Sequence, residues 1–291
     1  MCENSVSEPR RLYGILGLPL AQSLSPFLHG ASFQMLDHAG VYFRWEKKVH
    51  ELPDFFRAMR TLPIAGLSVT VPYKEAVASF LDGISERAQK VGAVNTIFWH
   101  GAKLMGDNTD VAGFLATVAR LPRTLPRRAL VLGSGGAARA VLAGLNESGV
   151  GKVVVSARNR EKAQTLASHF SCEQLPWEDR EAWLVAQDGA LVVNATPLGM
   201  KGKLEGASPL HEDCFARMAA GSGGADSFLA YDVVYNPQIT PFLSYAARHG
   251  LGWIDGVAFF AAQAAAQQEL WLGAHVDEKE LADMAVRLLR K

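Results

Sequence analysis

The chain has 291 residues, 29 Lys plus Arg against 29 Asp plus Glu, 49% hydrophobic residues and only three cysteines. Balanced charge excludes nucleic-acid or anionic-membrane binding driven by bulk charge, and three scattered cysteines (Cys2, Cys172, Cys214) exclude a disulfide framework or a C-x-x-C metal clip. At about 150 residues per domain the length suggests two domains, and the opening segment Met1 to Arg11 lacks the apolar core of a signal peptide, so a cytoplasmic protein is expected.

From Tyr13 onward short β-branched runs alternate with helix-period segments, the pattern of βα units and parallel sheets, so the fold class expected is α/β. Ser25-Pro26 starts a helix expected to run through Phe27 to about Asp37, with a hydroxyl at the N-cap and a proline whose missing N–H costs nothing in the first turn. Val41 to Trp45, Ala65 to Thr70 and Asn95 to Trp99 read as strands, and Leu52 to Arg60 as a helix. The Pro-rich, charged break from Leu121 to Arg128 then separates a second domain.

Beyond the break, Ala129 to Leu132 reads as a buried strand, Gly133 to Gly136 as a turn, Ala137 to Glu147 as a helix and Val153 to Val155 as the next strand. Leu191 to Val193 and Tyr231 to Val234 extend the same sheet, Gly221 to Gly224 reads as a flexible surface insertion, and Gly256 to Leu272 as an Ala-rich helix carrying Gln263, Gln267 and Gln268.

The turn Gly133-Ser134-Gly135-Gly136-Ala137-Ala138 has the context of a dinucleotide-binding loop. Gly133 permits the tight turn, Gly135 lets backbone approach a pyrophosphate, Ala138 allows close helix packing, and the helix N-terminus offers N–H donors. Where an NAD site places an acid, after the second strand, this chain has Ala157-Arg158-Asn159-Arg160-Glu161-Lys162, so a guanidinium stands ready for a 2′-phosphate and NADP is favoured. In the first half Ser23 and Ser25, Ser68 to Lys74, and Gly106 to Asp110 place hydroxyls, an amine and acids near expected strand ends. Singly, Ser25 reads as an N-cap, Asp110 as a helix-start acid and Lys74 as a surface amine; together they suit a small polyol.

With these segments in view, the chain resembles the shikimate dehydrogenase family over nearly its whole length. The resemblance is carried by Ser23-Leu24-Ser25-Pro26, Val69-Thr70-Val71-Pro72-Tyr73-Lys74, Gly92 to Thr96, Gly106 to Asp110, Gly133 to Arg139, Asn194-Ala195-Thr196-Pro197-Leu198-Gly199-Met200, and the stretch from Tyr235 through Gln263 to Trp271. It implies a substrate domain of residues 1–113 plus 256–291 and a Rossmann-type NADP-binding domain of residues 114–255, with a catalytic cleft between them. It implies an NADP(H)-dependent oxidoreductase interconverting 3-dehydroshikimate and shikimate on the route to chorismate and the aromatic amino acids, cytoplasmic and monomeric or homodimeric. Lys74 and Asp110 would be the catalytic pair; Ser23, Ser25, Thr70, Asn95, Asp110 and Gln263 would hold substrate, with Tyr235 closing over its carboxylate. Gly133, Gly135, Gly136, Ala137, Arg158, Lys162, Thr196, Val233 and Gly256 would hold NADP, and no metal is implied.

The chain departs from the family pattern at Gln22, where His is common, and at Ser68, where Asn is common. Ala157 and Asn159 replace Asn and Thr in the basic loop, and Phe259-Phe260 replaces Met-Leu beside the nicotinamide. An NAD-dependent quinate/shikimate dehydrogenase, a folate dehydrogenase and a non-catalytic ligand sensor are the alternatives. The first is disfavoured by Arg158, the second by the paired serines and the third by the presence of both Lys74 and Asp110.

Overall fold

The computed structural model describes residues 10–122 and 124–290; Cys2 and the rest of the segment up to Pro9, Arg123 of the break, and Lys291 lie outside them. Two six-stranded sheets organise the chain. The first comprises β1 (Arg11–Gly17), β2 (Gly40–Glu46), β3 (Ile64–Val69), β4 (Gly83–Ile84), β5 (Thr96–His100) and β6 (Lys103–Asp107), in the order β2-β1-β3-β5-β6-β4. Its helices are α1 (Ser25–Met35), α2 (Leu52–Met59), α3 (Glu86–Val91) and α4 (Thr109–Ala119).

This sheet is mixed, whereas the sequence pattern predicts parallel strands. β1 runs parallel to β2 and β3, but β5 is antiparallel to both β3 and β6. For the second of these pairs the cause is local: β5 and β6 are joined by Gly101-Ala102 alone, and Gly101 takes a left-handed φ of 60°, so the two strands form a hairpin, which can only be antiparallel. Helix α1 stops at Met35, two residues short of the expected end, because Asp37 turns to a φ of 51°.

The second sheet comprises β7 (Arg128–Leu132), β8 (Lys152–Ser156), β9 (Glu173–Leu175), β10 (Leu191–Asn194), β11 (Leu229–Asp232) and β12 (Gly252–Ile254), in the order β12-β11-β10-β7-β8-β9 and parallel throughout. Counted within the sheet this is the doubly wound order 3-2-1-4-5-6 of a Rossmann fold. Helices α5 (Gly136–Glu147), α6 (Arg160–Phe170), α7 (Arg180–Val185), α8 (Glu212–Ala220) and α9 (Pro241–Arg248) complete it. Buried on both faces, its strands are continuous apolar runs: Ala129 to Leu132, Val153 to Val155 and Leu191 to Val193 are all under 10% exposed.

At two places in this half the structure departs from the sequence pattern. Val233 and Val234, expected inside a strand, lie just beyond the end of β11 and line the cleft described below. Gly221 to Gly224 is a packed turn, not a flexible insertion: Gly224 N–H donates to the Gly221 carbonyl, and a Cβ on Gly223 would collide with the Asp188 carbonyl oxygen, so glycine is what permits that backbone contact.

From β12 the chain returns through α10 (Gly256–Leu272) and α11 (Glu278–Leu289) to the first sheet. Helix α10 lies against α4, where Gly113 lets the Phe259 carbonyl approach to 2.8 Å of the position a Cβ would occupy, and Trp271 donates its indole N–H to the Ile97 carbonyl of β5. Among the described residues no helix is long and apolar enough to cross a membrane.

Candidate active site

A cavity of about 870 Å³ opens between the two sheets. From the second sheet it is lined by residues just past the C-terminal ends of β7, β8, β10 and β11, where open parallel sheets bind ligands; from the first it is lined by β1, β3, the loop after β3, α4 and α10. Ser23, Ser25, Thr70, Lys74, Asn95, Asp110, Tyr235 and Gln263 all line it on one side, and Gly133, Gly135, Gly136, Ala137, Arg158, Lys162, Thr196 and Val233 on the other.

At its centre the Lys74 ammonium lies 2.5 Å from Asp110 Oδ2. Asp110 sits in the first turn of α4, capped by Asn108, whose side chain accepts the Asp110 backbone N–H, and the helix N-terminus favours the carboxylate. The other carboxylate oxygen accepts a hydrogen bond from Asn95 Nδ2 at 2.8 Å. Asn95 is itself locked, because its side-chain carbonyl accepts from Thr109 N and from Thr96 Oγ1, both at 2.7 Å. With Asp110 3% exposed and Asn95 1% exposed, the orientation of the carboxylate is set by protein groups before any ligand arrives.

Behind this pair lies a second tier whose pairings the sequence did not reveal. Ser68 accepts from the Tyr42 hydroxyl at 2.6 Å and donates to Gln267 Oε1 at 2.7 Å, while Gln267 Nε2 donates to the Asn95 backbone carbonyl at 3.2 Å and to Thr96 Oγ1 at 3.1 Å. Gln263 and Gln267 are four residues apart and so share one face of α10, a spacing visible in the sequence that identifies both as candidates. Gln263 donates to the Phe260 carbonyl and places its Oε1 3.5 Å from Asn95 Nδ2. Tyr235 stacks on Phe260 at 4.0 Å between ring centroids, so the Phe pair of α10 forms an aromatic side of the cleft.

The opposite wall is built from glycine and backbone. Gly133 has a φ of 124°, and a Cβ there would lie 2.7 Å from the Ala195 carbonyl oxygen. A Cβ on Gly136 would lie 2.7 Å from Lys74 Cδ, so this glycine also makes room for the lysine. A Cβ on Gly135 would meet nothing within 4 Å: its missing side chain leaves open space at the N-terminus of α5, which is what close approach of a pyrophosphate requires. After β8, Arg158 and Lys162 stand exposed at the rim, with Asn159 capping α6 through the Lys162 N–H; neither cation is paired with an acid among the described residues. A polyanion with a terminal phosphate fits this donor set.

Asp232, missed in the sequence, holds the two loops that complete this wall. Its carboxyl accepts hydrogen bonds from Asn194 Nδ2, Val234 N and Thr240 Oγ1, and Asn194 Oδ1 in turn accepts from Thr196 N and Oγ1. Burial pushes its pKa up to about 7. Gly256 lies behind the wall and is not among the lining residues: a Cβ there would stand 2.5 Å from the Val234 carbonyl oxygen, so it lets α10 start against the loop. Burial lifts the thiols of Cys172 and Cys214 to about 11 and about 12, which leaves both protonated at neutral pH.

Two family models match the chain, the shikimate dehydrogenase substrate-binding domain over residues 15–97 and shikimate/quinate 5-dehydrogenase over residues 118–197. A shikimate dehydrogenase (NADP(+)) of Oleidesulfovibrio alaskensis is 44% identical over 265 residues, 91% of each chain. The solved shikimate 5-dehydrogenase of Thermus thermophilus, in complex with NADP(H) and shikimate, superposes with a TM-score of 0.81 at 34% identity, covering 95% of this chain and 99% of that one. A quinate dehydrogenase of Corynebacterium glutamicum in complex with NAD reaches a TM-score of 0.83 at 28% identity, covering 96% of this chain and 100% of that one.

Proposed function

The chain belongs to the shikimate dehydrogenase family, and from that premise we propose that it catalyses the reversible NADP(H)-dependent interconversion of 3-dehydroshikimate and shikimate in this cleft. The observation that carries the reading is the Lys74–Asp110 pair, 2.5 Å apart and facing a glycine loop across one cavity. Residues 1–113 and 256–291 form the substrate-binding part and residues 114–255 the NADP-binding part. The reading takes the enzyme to be a monomer or a homodimer acting in the cytoplasm.

NADPH, when bound, supplies a hydride to the ketone carbon. Negative charge then develops on the ketone oxygen, where the Lys74 ammonium stabilises it and gives up a proton to complete the hydroxyl. Asp110 holds the ammonium in place and accepts from a neighbouring substrate hydroxyl, while Asn95 keeps the carboxylate oriented. Thr70 and Gln263 offer further partners to ring hydroxyls, and Ser23, Ser25 and Tyr235 to the substrate carboxylate. Gly133, Gly135, Gly136 and Ala137 would take the pyrophosphate, Arg158 and Lys162 the 2′-phosphate, and Thr196 and Val233 would border the dinucleotide.

Initial rates with shikimate or quinate, each with NADP+ or NAD+, test this reading. Shikimate with NADP+ is expected to be the most efficient of the four combinations. The absence of turnover with shikimate, or a preference for NAD+, contradicts it.

A further inference from the structure

Three consecutive residues around the catalytic lysine are tethered to three separate stretches of the chain, two loops and one helix. The Tyr73 hydroxyl donates to the Lys47 carbonyl, and the Lys74 carbonyl accepts from Val94 N at 2.7 Å. Both of these tethers lie within the first-sheet half. The third joins the two halves: Glu75 Oε2 accepts from Arg139 Nη2 at 3.2 Å, and Arg139 belongs to α5, the helix that the glycine loop opens.

Arg139 is built into this position. Its side chain is only 14% exposed, its backbone N–H donates to the Gly135 carbonyl, and Nη1 points to the Val91 carbonyl at the end of α3 at 3.4 Å. Gly92, next along the chain, has a left-handed φ of 69°, and a Cβ there would stand 3.0 Å from Arg139 Nη1, so a side chain at that position would crowd the guanidinium. One turn earlier on α5, Gly136 lies against Lys74 itself. The first turn of α5 therefore bears on the dinucleotide loop at one end and on the lysine segment at the other.

We propose that Arg139 is a positioning residue for the reaction: a strut from α5 to Glu75 that fixes the Lys74 ammonium relative to whatever occupies the glycine loop. The two tethers within the first half place Lys74 against the substrate partners. The strut places it against the hydride donor, which a proton donor in a two-ligand reaction also requires. This role for Arg139 rests on the function proposed above. An uncharged side chain at 139 should keep ground-state binding of each ligand alone and lose alignment in the ternary complex.

The test compares Arg139→Met, Arg139→Lys, Glu75→Gln and the double variant Arg139→Met/Glu75→Gln with the wild-type enzyme. Arg139→Met and Glu75→Gln should each lower kcat for shikimate oxidation about 3- to 30-fold while KM for shikimate stays within about twofold. Arg139→Lys should recover most of the loss, and the double variant should be no slower than the worse single one. Calorimetric titration should give near-wild-type affinity for shikimate alone and for NADP+ alone, with the strengthening of one by the other reduced. Unchanged kcat in Arg139→Met, a loss confined to KM, or additive losses in the double variant would overturn the strut. A wild-type enzyme inactive on shikimate with NADP+ would instead overturn the function it rests on, and the strut with it.

Discussion

The two halves of the molecule keep their buried polar groups in different places. In the second sheet the strand interiors are apolar and the polar residues Ser156, Asn194 and Asp232 stand at the last positions of β8, β10 and β11, facing the cleft end. In the first half polar side chains run through the interior, in the chains Tyr42–Ser68–Gln267 and Ser32–Gln268–His29 and around Asn95, Thr96 and Thr109. The difference follows from what each half must hold. A dinucleotide is gripped by backbone N–H groups and by the absence of side chains, so the second half's buried network, Asp232 with Asn194 and Thr240, serves to hold loops at the sheet end. A small ring bearing several hydroxyls must be read by side chains, and each such side chain needs a partner behind it to fix its orientation.

If that division holds, Arg158→Ala should damage only the second half's work. Losing a charge-assisted contact of about 1.5–3 kcal/mol should lower kcat/KM for NADP+ roughly 10- to 150-fold, leaving NAD+ kinetics and shikimate affinity little changed. Equal losses with both cofactors would break the division. The first half should show its own selectivity: the extra hydroxyl of quinate at the carboxylate-bearing carbon meets a closed set of partners, so quinate should be roughly 5- to 150-fold less efficient, about 1–3 kcal/mol. Comparable efficiency on the two acids would mean that the network does not discriminate.

Within the glycine loop two neighbouring glycines should separate stability from binding. Gly133→Ala forces a side chain onto a φ of 124° and into the Ala195 carbonyl, and should cost about 1–3 kcal/mol of stability. Gly135→Ala meets open space and should leave the melting temperature near wild type, yet weaken NADP+ binding. Thermal melts alongside cofactor titration distinguish the two.

Stability against pH should also separate the two halves, with opposite signs. Burial holds His29 neutral with a pKa lowered to about 3, so the stability it supports is present above about 6.5 and lost as pH falls from there towards 3. Asp232 has its pKa raised to about 7, so its contribution is present below about 4 and lost as pH rises through 7. His29→Asn should flatten the acid side of a melting-temperature profile and Asp232→Asn the neutral side. Profiles parallel to wild type in both variants would contradict these assignments.

The same contrast governs what is legible in the sequence. The second half reads directly: continuous apolar strands, the Gly133 to Gly136 turn and the basic loop after β8 are local signals, and α10 occupies the residues its composition predicts. The first half reads less well because its strands carry Gly, Ser and Thr. β1 does not stand out from its surroundings, and the hairpin of β5 with β6, which turns the sheet antiparallel, rests on the two residues Gly101-Ala102. Of the cleft residues, those in short motifs can be named from sequence. Ser68, Gln267, Asn194 and Asp232 cannot be given their roles there, because their partners lie up to 199 residues away along the chain and only packing brings them together.

Catalysis in this cleft turns on Lys74, and the most direct measurement is NADPH formation from shikimate and NADP+ by Lys74→Met, made together with binding titrations of both ligands. Methionine keeps the side chain's length and removes its charge and proton. Turnover should be at least about 10²-fold slower with each ligand still bound within a few-fold of wild-type affinity. Near-normal turnover, or a loss explained wholly by weaker binding, would contradict the assignment of Lys74 as the proton donor.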